Sequence, residues 1–237
     1  MTCDTVIVGS HVVLPTGIID KNLVLDDGKI IGLTNEMPSA DRKINADGLL
    51  ALPGVIDTHV HYGVYSPIEH AAISESHAAA IGGITTMMRM LRLGDSYKNS
   101  LSPQLNASSK SHYVDYAIHA SIFNLEQADE MQYCLENGVT SFKLYMNLGG
   151  EVDHVYMDME PGKNLLQEEH VEVTSEIVQK VVKNASLLGC PVLVHAEDYE
   201  ECGCGIKKAK EKNLDGLHAW SESRPSESEI RSIKTIS

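Results

Sequence analysis

The chain has 237 residues, 43% of them hydrophobic and 22% charged, the proportions of an ordinary globular protein with one large domain or two small ones. With 33 acidic and 19 basic residues it carries a net charge of −14, which repels phosphate backbones and anionic membranes and argues against a nucleic-acid partner. No apolar run reaches the roughly 18 residues of a membrane span, and Met1-Thr2-Cys3-Asp4 lacks the basic and apolar regions of a signal peptide. The default expectation is a cytoplasmic protein whose five Cys are reduced thiols.

In chain order, residues 1–52 read as a small β module. Thr5–Val8, Val12–Leu14 and Leu23–Leu25 are short apolar or β-branched runs. They are separated by Gly9-Ser10, Pro15-Thr16-Gly17 and Asp26-Asp27-Gly28. Asp27-Gly28 ahead of Lys29-Ile30-Ile31 is a hairpin signal.

Residues 53–237 change texture. Predicted strands at Val55–His61, Ile84–Leu91, Val114–Phe123, Ser141–Met146 and Pro191–His195 alternate with predicted helices at Pro67–Ile81, Leu125–Asn137 and Glu168–Leu188. Gly82-Gly83, Gly138 and Gly189 punctuate the helix ends. This alternation predicts an α/β fold with a parallel sheet and helical crossovers. At roughly 35 residues per unit, a closed eight-stranded barrel needs about 100 residues more. The expectation is therefore a barrel incomplete at its C-terminus.

Several residues invite chemistry. His59 and His61 alternate on a strand, so both project from one face and can share a metal ion. The spacing alone is weak, since 11 His in 237 residues supply roughly half of one His-x-His pair by chance; two ordinary half-exposed histidines are the plain alternative. Parallel α/β folds carry their sites at the C-terminal ends of strands, where this pair falls. Lys143 lies in the apolar strand Ser141-Phe142-Lys143-Leu144-Tyr145-Met146. A buried lysine is costly, and burial lowers its pKa and makes its amine nucleophilic; the alternative is a rim lysine reaching solvent. His195 ends the strand Pro191-Val192-Leu193-Val194-His195, as a ligand or as a satisfied core histidine. Cys202-Gly203-Cys204 lacks a second ligand pair and reads as a Gly-rich surface loop. His70 and His77 read as exposed, Glu126, Asp129 and Glu130 as a solvated helix start, and Lys207, Lys208, Lys210 and Lys212 as an exposed helix face.

Taken together, the motifs resemble one family. Pro53-Gly54-Val55-Ile56-Asp57-Thr58-His59-Val60-His61 is similar to the signature of the cyclic amidohydrolases of the amidohydrolase superfamily, the group of hydantoinase/dihydropyrimidinase, allantoinase and dihydroorotase. Ala78–Thr86, Ser141–Met146, Val194–Glu197 and His218–Pro225 resemble later landmarks in the same order. The resemblance implies a partial TIM-type (β/α) barrel with the N-terminal module as part of a flanking β-sandwich. It implies a metal site of His59, His61, Lys143 and His195 holding two divalent ions, zinc first, with Mn, Fe or Co also suited. Lys143 would carry a carbon dioxide-derived carbamate bridging the ions, and a bridging hydroxide would open a cyclic amide or imide of hydantoin or dihydropyrimidine type. Allantoin and dihydroorotate are alternative substrates.

Some positions depart from the family pattern. Its fourth metal-binding His, and the Asp that is both ligand and proton shuttle, would fall beyond Ser237. Asp57 and Asp198 match other positions. Gly63 stands where dihydroorotases usually place an Arg that grips a carboxylate, which disfavours an acidic pyrimidine. Leu148 stands where hydantoinases usually carry an oxyanion-holding Tyr, with Tyr145 nearby as a substitute or as packing. Alternatives to a self-sufficient enzyme are a non-catalytic assembly protein that keeps the fold, and one half of a split enzyme completed by a C-terminal chain. A homo-oligomer is expected by analogy.

Overall fold

The computed structural model describes residues 2–237. The chain divides into two compact units, Met1–Gly54 and Val55–Ser237.

The first unit is built from β1 (Cys3–Val8), β2 (His11–Leu14), β3 (Gly17–Asp20), β4 (Asn22–Asp26), β5 (Lys29–Thr34), β6 (Ala40–Asn45) and β7 (Leu50–Ala51). They form a four-stranded sheet in the order β5-β4-β1-β6 and a three-stranded sheet in the order β3-β2-β7. Val6 and Val24, paired across β1 and β4, are buried and with Cys3 make a small core. Asp27 and Gly28 both have positive φ, 48° and 69°, as the two-residue turn between β4 and β5 requires. β3 and β6 are additional to the runs legible in the sequence. The run Ala40-Asp41-Arg42-Lys43-Ile44-Asn45 has too little apolar character to announce β6.

The second unit alternates strand and helix. Its elements are β8 (Val55–Val60), α1 (Ile68–Ile81), β9 (Ile84–Leu91), α2 (Tyr97–Ser108), β10 (Asp115–Ser121), α3 (Leu125–Asp129), α4 (Met131–Glu136), β11 (Ser141–Tyr145), β12 (His154–Met157), β13 (Gln167–His170), α5 (Ser175–Leu188), β14 (Val192–His195), α6 (Tyr199–Glu211), α7 (Gly216–Glu222) and α8 (Ser226–Ile236). Five strands form one parallel sheet in the order β14-β11-β10-β9-β8. Spatial order follows chain order, apart from the β12–β13 hairpin inserted between β11 and β14. A doubly wound sheet reverses direction at a switch point; a barrel wall does not. The expected α/β partial barrel is this wall.

The core lies between the middle strands and their helices. Phe142 and Leu144 of β11, Ile118 and Ala120 of β10, Leu101 of α2 and Val181 of α5 belong to one buried cluster. Helix α5 is amphipathic, with Ile177, Val178, Val181 and Ala185 buried. The Thr174 side chain caps its start, and Gly189 at φ 67° ends it in the left-handed region that favours glycine.

Four expectations are corrected. The segment expected as a helix from Glu168 starts as strand β13, paired with β12, and becomes helical only after the Thr174 cap. The helix expected over Leu125–Asn137 breaks into α3 and α4 at Glu130. Glu130 is buried rather than solvated, accepting hydrogen bonds from Ser96 Oγ (2.6 Å) and the Tyr97 amide (2.7 Å) at the start of α2. Cys202-Gly203-Cys204 is helical, because Asp198 caps α6 ahead of it. There Gly205 allows close packing: a Cβ at that position would stand 2.4 Å from the Ser223 carbonyl oxygen. Helix α2, with Pro103 inside it, and the β12–β13 hairpin are additional. Among the described residues, no helix is long and apolar enough to cross a membrane.

Candidate metal centre

The C-terminal ends of the parallel strands carry the site residues. Strand β8 pairs irregularly with β9 between Asp57 and Val60, and the Asp57 carboxylate accepts the His59 amide at 3.1 Å. His59 and His61, two apart at the end of this strand, converge with their Nε2 atoms 3.2 Å apart and ring centroids 5.2 Å apart. Two nitrogens on one tetrahedral ion, at bonds of about 2.0–2.1 Å, stand about 3.3–3.4 Å apart. The same separation also accommodates an N–H···N hydrogen bond, with one ring donating.

Lys143, on the strand β11, is only 3% exposed. Burial lowers its pKa, and among the described residues its ammonium has no carboxylate partner; Nζ lies 5.0 Å from the Tyr145 ring centroid. His195 ends β14 opposite Tyr145, with its Nε2 2.7 Å from Glu197 Oε2.

Electrostatics tie the four together. His59 is less basic than usual, chiefly through burial, then through the charge of Lys143, with a smaller effect from His195. His61, although exposed at the surface like His59, is pushed down to about 4 by desolvation among the protein around it, then by Arg92, His59 and Lys143. Both rings are thus neutral near pH 7, the state in which imidazole binds a metal. An amine whose pKa burial lowers, beside two convergent imidazole nitrogens, is a donor set that fits a divalent ion.

Supporting groups around the site were not evident from the sequence. His119 of β10 is buried, with Nδ1 2.6 Å from Ser141 Oγ and Nε2 3.1 Å from the Thr58 carbonyl oxygen. It therefore braces the residue just before His59. Arg89 of β9 is fully buried; its Nε donates to the Tyr62 carbonyl (3.1 Å) and its Nη2 to Asp158 Oδ2 (2.7 Å). Asp158 also accepts the Arg92 amide at 3.2 Å. This network holds the turn that follows His61. Gly63 in that turn has φ 98°, and a Cβ there would lie 2.5 Å from Arg89 Nη2. No side chain, and so no substrate-gripping arginine, fits at position 63. One signal was available: charges in the apolar runs Met87-Met88-Arg89-Met90-Leu91 and Met157-Asp158-Met159 have the same anomaly as Lys143.

Asp57 and Asp198 have structural partners: Asp57 holds the His59 amide, and Asp198 caps α6 and pairs with Arg231. The Tyr145 ring stacks on Phe123, and its buried hydroxyl lies beside that of Ser121. His70 and His77 are exposed, as are Lys207, Lys208, Lys210 and Lys212 along α6.

No family model matches the chain. It is 27% identical over 236 residues, 97% of its length, to an allantoinase of Solibacter usitatus (strain Ellin6076), covering 48% of that protein. It is 25% identical over its whole length to an allantoinase of Escherichia coli O1:K1 / APEC, covering 50% of it. These relatives support a cyclic amidohydrolase of the amidohydrolase superfamily. The fold of the chain matches the L-hydantoinase (dihydropyrimidinase) from Arthrobacter aurescens with a TM-score of 0.81 at 21% identity, over 99% of this chain and 49% of that one. The five-stranded sheet is thus a partial TIM-type barrel. The chain spans about half the length of the curated relatives it matches.

Proposed function

We propose that this chain supplies the first-half metal centre of a cyclic amidohydrolase, which hydrolyses the C–N bond of a hydantoin-type or dihydropyrimidine-type ring. The observation that carries the reading is the convergence of His59 and His61 beside the buried, unpaired Lys143. His59 and His61 would hold one divalent ion, His195 a second, and a carbamate on Lys143 would join them. Zinc suits this donor set, as do Mn, Fe and Co. When bound, the ions supply Lewis acidity toward a ring carbonyl and an acidified water as nucleophile.

The chain's own residues prepare this chemistry. Burial lowers the Lys143 pKa and so favours the free amine, whose nitrogen would add to carbon dioxide with release of a proton, replacing a costly buried cation with an anionic ligand. Desolvation also keeps His61 unprotonated. His119 and Arg89 hold the backbone on either side of the pair. Allantoin itself contains a hydantoin ring, so the allantoinase relatives and the hydantoinase fold neighbours support one ring chemistry. Gly63 disfavours an acidic pyrimidine such as dihydroorotate.

A second reading rests on a different observation. Strands β8 and β14 are both unpaired on their outer edges, as in a wall that continues, and the relatives are about twice as long. A complementary chain would then complete the barrel and the ligand set, or the fold would serve assembly without catalysis. The test is zinc-loaded protein assayed for ring opening of hydantoin, dihydrouracil and allantoin, alone and after gel filtration with any copurifying chain. Ring opening abolished in Lys143→Ala supports the proposal. Metal-loaded chain without turnover favours the split or assembly reading, and failure to bind metal contradicts the proposed centre.

A further inference from the structure

The β12–β13 hairpin carries a second donor cluster, which the proposed reaction does not use. His154 opens β12 and His170 closes β13, and the two are directly paired across the antiparallel ladder. Their rings lie edge to face with centroids 5.8 Å apart. His154 Nδ1 stands 2.8 Å from Glu168 Oε1. One ligating atom from each of His154, Glu168 and His170 lies within 4.8 Å of the others. His170 Nδ1 is held at 3.0 Å by Asp153 Oδ2, the carboxylate support that orients metal-bound imidazoles.

We infer that His154, Glu168 and His170 form a surface site for a borderline divalent cation such as zinc. Two imidazoles and one carboxylate are a three-ligand set that leaves water the fourth position. Ligands of a tetrahedral zinc ion stand about 3.3–3.4 Å apart, so small rotations of three exposed side chains close the set. The net charge of −14 raises the local concentration of cations.

The position gives the ion a structural role. Its ligands sit at the open base of the hairpin, so coordination closes the loop from His154 to His170. That loop contains Asp158, which pairs with Arg89, and Met159, whose amide donates to the Gly63 carbonyl at 2.8 Å. An ion at the base therefore clamps the segment that braces the turn after His61. The competing account is two plain cross-strand ion pairs, His154–Glu168 and His170–Asp153.

The test keeps this site separate from the strand-end centre. Zinc binding to the whole chain is measured by equilibrium dialysis with elemental analysis in a His59→Asn/His61→Asn/Lys143→Ala background, and again after adding His154→Asn and His170→Asn. One ion per chain is expected in the first, with at least a tenfold loss of affinity in the second. Equal binding in both overturns the site, as does no binding in the first. A parallel measurement needs no variant: zinc should protect His154 and His170 of the wild-type chain from diethylpyrocarbonate, read by peptide mass spectrometry. Unchanged modification of both also overturns it.

Discussion

The middle and the outer strands of the parallel sheet hold opposite halves of the candidate centre. β11 is buried, with Phe142 and Leu144 inaccessible on one face and Lys143 3% exposed on the other. β8, at the edge, leaves Val55 55% and Ile56 59% exposed. The buried strand sets the chemical state of its lysine through desolvation, whereas the edge strand positions its histidines by local hydrogen bonding at Asp57 and Thr58. A metal centre spanning both draws its electrostatics from the core and its geometry from a strand secured through β9, the His119 brace and the Arg89 network.

The contrast can be broken most forcefully by truncation. Phe142→Ala should cost about 3–5 kcal/mol of unfolding free energy, while Ile56→Ala stays within about 0.5 kcal/mol. Urea melts of the two variants measure this, and similar costs would show that the edge is as well packed as the middle. Arg89→Met should cost about 3–5 kcal/mol, because it leaves the buried Asp158 carboxylate with only the more distant Arg92 as its cation. Adding Asp158→Leu should recover much of that loss; no recovery would mean that the pair does not act as a unit.

A smaller effect lies in alkaline stability. Burial, and then the nearby Glu130 carboxylate, push the Cys134 thiol up to about 12 from an ordinary value of 9.0. Between those values the unfolded chain loses the proton while the folded chain keeps it, so the stabilisation is complete below pH 9 and fades as pH rises toward 12. Cys134→Ala should flatten the decline of stability between pH 9 and 11 in thermal melts. A variant that declines as steeply as wild type would place the thiol in contact with water.

The sequence made the barrel wall legible because its strands are apolar runs bounded by glycines, and β9 matches its expected bounds at both ends. The convergence of His59 and His61 followed from strand alternation, and Lys143 stood out as a charge in an apolar run. The hairpin escaped because Gln167-Glu168-Glu169-His170 is polar throughout and mostly exposed, the buried face of the pair coming from Val155 and Met157 of β12. Glu130 escaped because an acidic residue in a helical pattern reads as solvated, until the start of α2 is found against it. Arg89, Asp158 and His119 needed the tertiary structure, since their partners lie on other elements.

The central claim is that Lys143 assembles a binuclear metal site with the strand-end histidines. Its most direct test is the zinc content of the purified chain against Lys143→Ala, both in the hairpin-silenced His154→Asn/His170→Asn background and with folding verified by circular dichroism. Two ions per chain falling to one or none in the lysine variant is the predicted result. Equal metal content in the two proteins would contradict the account.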